Sequence, residues 1–349
     1  MSMWNLSELP IVGAPMAGTG TPQLAAAISG AGGLGLFPGG YLTGDKLAEG
    51  IARVRELTDQ PFGVNLFMPT PVDEERDSAR LRSYAEALAP VAAAADVQLP
   101  EPRWDGSDNF AAKVDVLEQA RVAVVSFIFG PPPADVVRRL HAVGTQVLAT
   151  VTDAGEARAA VAAGADLLCL QGTDAGGHRG THQVDAEPNS SGWRELLPDV
   201  LAATDLPVVV AGGVMTAQDV DDALAAGAVA VQCGSAFLLT DESGMNAAYR
   251  AGFTAADLTE SVVTRAFSGR PARAIRNDFV ARFDPVAVPV YPIVNQLTKP
   301  LRAAGAATDD RELVSLWAGT GWRQAQPGAA ADVVAALAAK VAEERARNE

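Results

Sequence analysis

The chain has 349 residues, 48% of them hydrophobic and 20% charged, with a formal net charge of −15. That balance suits a globular protein with a sizeable core and argues against a disordered, fibrous or membrane chain. It leaves no general basic face for nucleic acid or anionic lipid, so an anionic ligand needs local positive charge.

In chain order, the N-terminal MSMWNLSELP has no basic patch followed by an apolar core, and no apolar run approaches a spanning helix, so the expected location is the cytoplasm. Short apolar, β-branched runs then recur at 11–16, 34–37, 62–67, 122–129, 145–151, 166–171, 207–211 and 228–233. Helical-period segments rich in Ala, Leu and Val separate most of them. Eight βα units favour a closed (β/α)8 TIM barrel in the α/β class. The rival is a doubly wound open sheet, which sets a glycine fingerprint directly after its first strand. Here that strand ends GAPMAGTG, and Pro15 and Met16 suit a loop lying against a flat ligand. The rhythm breaks between Thr70 and Asp115, where DEERDSARLRSYAEALA and a Pro/Trp segment read as an insertion after strand three. Residues 241–302 read as a cap or substrate segment inserted after strand eight, and the tail from Asp309 as one or two amphipathic helices. The expected layout is a barrel of residues 1–240 and 303–349 carrying that cap, with neither added segment apolar enough for a core of its own. Cys169 and Cys233 lie in apolar runs without Cys-x-x-Cys spacing and are expected as buried thiols.

In such barrels the functional residues close the C-terminal ends of strands. Run seven ends AGGVMTAQD, where Gly212 and Gly213 allow close backbone approach and Thr216 can cap the next helix. Run eight ends QCGSAFL, offering Gly234, Ser235 and successive backbone N–H groups. Glycine after a strand is ordinary turn chemistry, but two such loops at units seven and eight point to a phosphate site. Strand alternation puts Asn65 on a face with Phe67, and Gln171 on a face with Cys169. Inward amides need partners: a flavin's pyrimidine edge or, more plainly, loop backbone. Ser126, Gly176 and Gly177 complete the candidate cofactor-binding set. Of the three histidines, His141 closes a charged helix and is expected in solvent, whereas His178 in GGHRG lies close to any ligand at the rim. His178 and His182 are four apart in a glycine-containing loop with no third ligand at metal spacing, so no metal is expected.

Together, GAPMAG with the following TPQLAAAISGAGGLG, the GVNLF run, QGTDAGGHRG, VVVAGGV and CGSAF resemble the nitronate monooxygenases, formerly 2-nitropropane dioxygenases, whose relatives include FMN-dependent enoyl-ACP reductases. The resemblance runs from about Ile11 to Trp322. It implies FMN, with Ala14, Met16, Asn65 and Gln171 around the isoalloxazine and ribityl, Gly212, Gly213, Gly234 and Ser235 at the phosphate, and His178 as the catalytic residue. The tail's WAGTGW resembles the monooxygenase branch. YPIVNQLTKPLR resembles a segment over the substrate pocket, making Tyr291, Asn295 and Lys299 candidate substrate residues. Asn295 stands where that family often has a second aromatic, so the pocket is expected to differ in shape.

The implied reaction is oxidation of alkyl nitronates, extending to nitroalkanes, by O2 to carbonyl compounds and nitrite. The alternative is an NAD(P)H-dependent FMN reductase acting on enoyl thioesters or quinones. A flavin-free sugar-phosphate isomerase or a non-catalytic binding barrel would share the glycine loops. The expected partners are the nitronate and O2, with no nucleic acid or membrane, and a homodimer is left open. His178 would either remove an α-proton or orient the preformed anion. With Asp174 as the only near carboxylate, orientation is the favoured expectation.

Overall fold

A computed structural model describes residues 5–348; residues 1–4, on which part of the N-terminal reading falls, lie outside the described residues. Each apolar run becomes one barrel strand: β1 (Ile11–Gly13), β2 (Leu34–Pro38), β3 (Gly63–Phe67), β4 (Val124–Ile128), β5 (Gln146–Val151) and β6 (Leu167–Gln171). The short β7 (Gly177–His178) lies outside the barrel, and β8 (Val208–Ala211) and β9 (Ala230–Cys233) complete it. The order β1-β2-β3-β4-β5-β6-β8-β9 is parallel throughout and closes where β9 pairs with β1. Strands buried on both faces read as continuous apolar runs, which is why they stood out.

Strand parity positions the site. Inward residues such as Val12, Leu36, Val124, Leu148, Cys169 and Val209 fill the barrel, while Ile11, Val64, Val125 and Phe127 pack outward on the helices. Two residues further along the inward face the chemistry changes, to Asn65, Ser126, Thr150, Gln171 and Gln232. An apolar plug thus carries a polar ring at its C-terminal end.

The insertion helix Glu74–Ala94 starts at Asp73, whose side chain accepts from Arg76 N at 2.9 Å, with Glu74, Glu75 and Asp77 in its first turn complementing the helix dipole. Its Leu81, Tyr84 and Leu88 pack with Phe267, Phe279 and Leu297 in one buried cluster. The insertion and the cap therefore do have a core, because they pool apolar faces far apart in sequence. A small antiparallel sheet orders β10 (Ser261–Thr264), β11 (Ala272–Ile275) and β7. The stretch around His178, expected as a loop, is an edge of that sheet, with Ala272 opposite His178 and Arg273 opposite Gly177.

The tail carries one of the one or two helices expected, and only its first part lacks α-helix. Residues 309–329 are largely irregular, and one helix, Ala330–Asn348, packs beside the helices Ala217–Ala225 and Pro22–Gly30, closing the outer ring. Pro327 and the glycines at 319, 321 and 328 explain the missing helix. Cys169 and Cys233 are buried free thiols. Among the described residues no helix is long and apolar enough to cross a membrane.

Candidate active site

A cavity of about 1040 Å³ opens at the C-terminal end of the barrel. Its floor is the polar ring. Asn65 Nδ2 donates to Ser126 O and Oγ, both at 3.2 Å. Gln171 is bound to loop backbone at both ends of its amide: Nε2 donates to His178 O at 3.0 Å, and Oε1 accepts from Gly180 N at 2.8 Å. It thereby ties the histidine segment to strand β6, while each amide atom keeps capacity for one further bond. Gln232 Oε1, also on the cavity wall, is buried with no partner among the described residues. An orphaned acceptor there calls for a ligand donor.

The rim at units seven and eight is made of backbone. Gly212 and Gly213 take φ of 113° and 73°, in the region glycine favours. No partner is found among the described residues for the backbone N–H groups of Gly213, Val214 or Gly234. Gly319 N donates to Ser235 Oγ at 2.9 Å, and a Cβ on Gly176 would sit 2.5 Å from that same nitrogen. Thr216 and Asp219 form a capping box at the start of the next helix. Unpartnered amides beside a helix start make an anion cradle. Ala14, Pro15 and Met16 face it across the wall, with Ala14 N bonded to Cys233 O at 2.8 Å.

His178 is half-buried on the same cavity. Its Nε2 lies 2.8 Å from Ser268 Oγ, and Nδ1 has no partner among the described residues. Trp317, Phe129 and Tyr291 surround the ring at centroid distances of 5.3, 5.9 and 5.9 Å. Burial first, then the charges of Arg270 and Arg302, push its pKa from 6.5 down to about 3, so the imidazole is neutral. Asp174 is not its partner: that carboxylate accepts from Thr320 Oγ1 at 3.0 Å. His141, by contrast, is exposed and meets Asp166 Oδ2 at 2.8 Å.

Two cap arginines hold the histidine segment, and a third ties that segment to its own start. Arg270 Nη1 donates to Thr181 O at 2.6 Å, Arg273 Nε to Thr173 O at 2.7 Å, and Arg179 Nη1 to Gly172 O. The Arg270 guanidinium also lies 4.0 Å from the Phe129 ring centroid, a cation–π contact in a desolvated place. Tyr41 and Phe129 take φ of 64° and 78°, unusual for bulky side chains, and both form cavity wall. Tyr291, 5% exposed, donates its hydroxyl to Tyr41 Oη at 3.3 Å, and burial raises its pKa well above the usual phenol range. Asn295 Oδ1 accepts from Arg302 Nη2 at 2.6 Å, and Lys299 is exposed at the mouth.

The residues expected to hold cofactor or substrate, and His178, all line this one cavity. The sequence reading did not pick out Thr150, Gln232, Ser268, Arg270, Arg302, Trp317 or Gly319. Extending the strand parity to runs five and eight would have found Thr150 and Gln232. A parallel barrel with unpartnered amides at its last two units, and a neutral histidine among aromatics opposite, has the frame of an enzyme with its ligand cavity at the C-terminal rim. The nitronate monooxygenase family model matches residues 1–340. A probable nitronate monooxygenase of Staphylococcus saprophyticus is 36% identical over 328 residues, covering 91% of this chain and 90% of its own. One from Staphylococcus haemolyticus is 37% identical over 322 residues, covering 89% and 88%. Among solved structures, the nitroalkane oxidase of Streptomyces ansochromogenes is 44% identical with a TM-score of 0.92 over 99% of both chains. FabK of Thermotoga maritima is 27% identical with a TM-score of 0.74 over 98% of this chain and 96% of its own. The chain belongs to the nitronate monooxygenase family and is a flavin-dependent oxidoreductase.

Proposed function

We propose that the protein uses FMN to oxidise alkyl nitronates with O2, giving carbonyl compounds and nitrite. The observation that carries this reading is His178: neutral, engaged by Ser268 at one ring nitrogen and open at the other, on the cavity whose rim fits a phosphate. A single cradle, without a second glycine fingerprint for an adenylate half, supports FMN rather than FAD. Gly212, Gly213, Gly234 and Ser235 would take the phosphate; Ala14, Pro15, Met16, Asn65, Ser126, Gln171, Gly176 and Gly177 would hold the ring system and ribityl. When bound, FMN supplies the electron acceptor and the route to O2.

In this reading the substrate half is the cap, residues 241–302, and the barrel of 1–240 and 303–349 is the cofactor half. Ser268 Oγ meets His178 Nε2 at 2.8 Å, which leaves Nδ1 for the substrate; in the Nδ1–H tautomer that nitrogen would donate to a nitro oxygen and orient the anion. A ring with a pKa of about 3 is a poor proton acceptor at neutral pH, which favours orientation over proton removal. Phe129, Tyr291 and Trp317 keep water from the reacting carbon, Asn295 shapes the wall beside them, and Lys299 draws anions to the mouth.

The test is a visible spectrum, cofactor release on denaturation, and nitrite formation from a nitronate in air. Released FMN and stoichiometric nitrite are expected; FAD, or no nitrite, overturns the assignment. The likeness to FabK sustains a second reading, an NAD(P)H-dependent flavin reductase. Rapid anaerobic bleaching by NADH together with inactivity on nitronates would favour it.

A further inference from the structure

The cavity wall contains a guanidinium that the scheme above leaves unused. Arg302 lies near the end of the helix Ile293–Ala307, half-buried and on the cavity. Asn295 is seven residues earlier, two turns along the same face. It accepts from Arg302 Nη2 through its side chain at 2.6 Å and its carbonyl at 3.1 Å. Arg302 Nε is buried without a partner, and Nη1 donates to nothing among the described residues. No carboxylate balances this charge. Of the acids on the wall, Asp108 pairs with Lys113 at 2.5 Å, Asp174 accepts from Thr320, Asp105 accepts from Ser107 N at 2.8 Å, and Glu101 is exposed. No ion pair among the described residues includes Arg302.

A desolvated guanidinium without a counter-ion is costly to keep, and its fixed fork of donors matches a planar anion with paired oxygens. The neutral His178 and protonated Tyr291 nearby offer hydrogen bonds but no charge, and Arg270, whose charge also bears on His178, lies against the Phe129 ring and does not line the cavity. Lys299 is exposed, so its field is screened. We propose that Arg302, held by Asn295, recognises the anionic form of the substrate and makes the site prefer a nitronate over the neutral nitroalkane. Asn295 is then a positioning residue acting through Arg302. The idea rests on the nitronate reading of the site, and deepens it by naming what reads the charge.

Nitrate, a planar oxyanion that cannot be oxidised here, serves as the probe, its binding followed by the perturbed flavin spectrum of the holoenzyme. Arg302→Met should raise the nitrate Kd and the nitronate KM by about 10- to 100-fold, the loss of one charge-assisted hydrogen-bonded contact, with kcat little changed. The KM for a neutral nitroalkane, or its Kd if it is not turned over, should stay as in the parent. Asn295→Ala should move nitrate and nitronate in the same direction by less, and Arg302→Lys should recover part of the loss. Unchanged nitrate affinity in Arg302→Met that retains flavin and Tm overturns the proposal, as does an equal rise for neutral and anionic substrates. If Arg302→Met does not fold, unchanged nitrate affinity in both Asn295→Ala and Arg302→Lys overturns it. Absence of nitronate turnover in the parent protein would instead fault the functional reading, while the nitrate arm still reports on Arg302.

Discussion

The two sides of the cavity are built by different means. On the barrel side, at Gly212, Gly213, Gly234 and Gly319, the surface is backbone, and what matters is the absence of a side chain. On the side facing the cap, at Phe129 and His178 of the barrel loops and Tyr291 and Arg302 of the cap, the surface is side chain, held in place by Ser268, Arg270 and Asn295. A backbone wall can hold one kind of group, a phosphate, whatever the rest of the ligand is. A side-chain wall can be respecified by a single substitution. On the proposed function, the first would fix the cofactor and the second the substrate.

The largest effect expected is on the core that the cap shares with the insertion. Phe267 is fully buried and stacks on Phe279 at a centroid distance of 4.5 Å, so Phe267→Ala should lower stability by about 3–5 kcal/mol in denaturant titration. Retention of FMN by that variant at low denaturant would show that the backbone side stands without a firm cap. Next, His178→Asn should cut kcat/KM for nitronates about 100-fold through loss of orientation, with FMN retained. Any turnover of neutral nitroalkanes should fall with it; a collapse confined to nitroalkanes would assign proton removal to His178 instead.

The backbone side can be tested with two neighbouring glycines. Gly176→Ala puts a methyl 2.5 Å from Gly319 N and should weaken FMN binding about 10- to 100-fold, the overpacking cost of 1–3 kcal/mol. At Gly177 nothing lies within 4 Å of the added carbon, although φ is +74°, so Gly177→Ala should cost only about 1 kcal/mol of stability. Equal FMN loss in both would mean that strain, not space, governs the cradle.

A further effect is one of pH. His178 has a folded pKa of about 3 against 6.5 unfolded, so as pH falls the unfolded chain takes up this proton first. Its contribution to stability is complete above 6.5 and is lost progressively toward 3. Correspondingly, kcat/KM for a nitronate should show no ionisation of the enzyme near 6.5, and a clear step there would mean that the pocket is wetter than its walls imply.

The barrel was legible because each of its strands is buried on both faces and bounded by glycine, proline or polar residues. For the same reason Asn65 and Gln171 stood out, as amides where parity demanded apolar side chains. The histidine segment was misjudged because its strand partner, Ala272–Ile275, is nearly a hundred residues on and leaves no local period. Arg270 and Arg302 were passed over because arginine is ordinarily exposed, and only packing shows that these two are enclosed. Gln171 was half anticipated: its amide does serve loop backbone, which was the plainer of its two readings.

Gly319 bonds to Ser235 and bounds the space next to Gly176, and Trp317 forms an isolated bridge with Ala274 and closes on the His178 ring. A chain emerging from the ribosome can close its barrel once β9 has appeared, but the cradle still lacks a wall until residue 319 follows some ninety residues later. On the proposed reading, cofactor capture would wait for that segment, and a chain ending before residue 319 would hold FMN weakly even with its barrel closed.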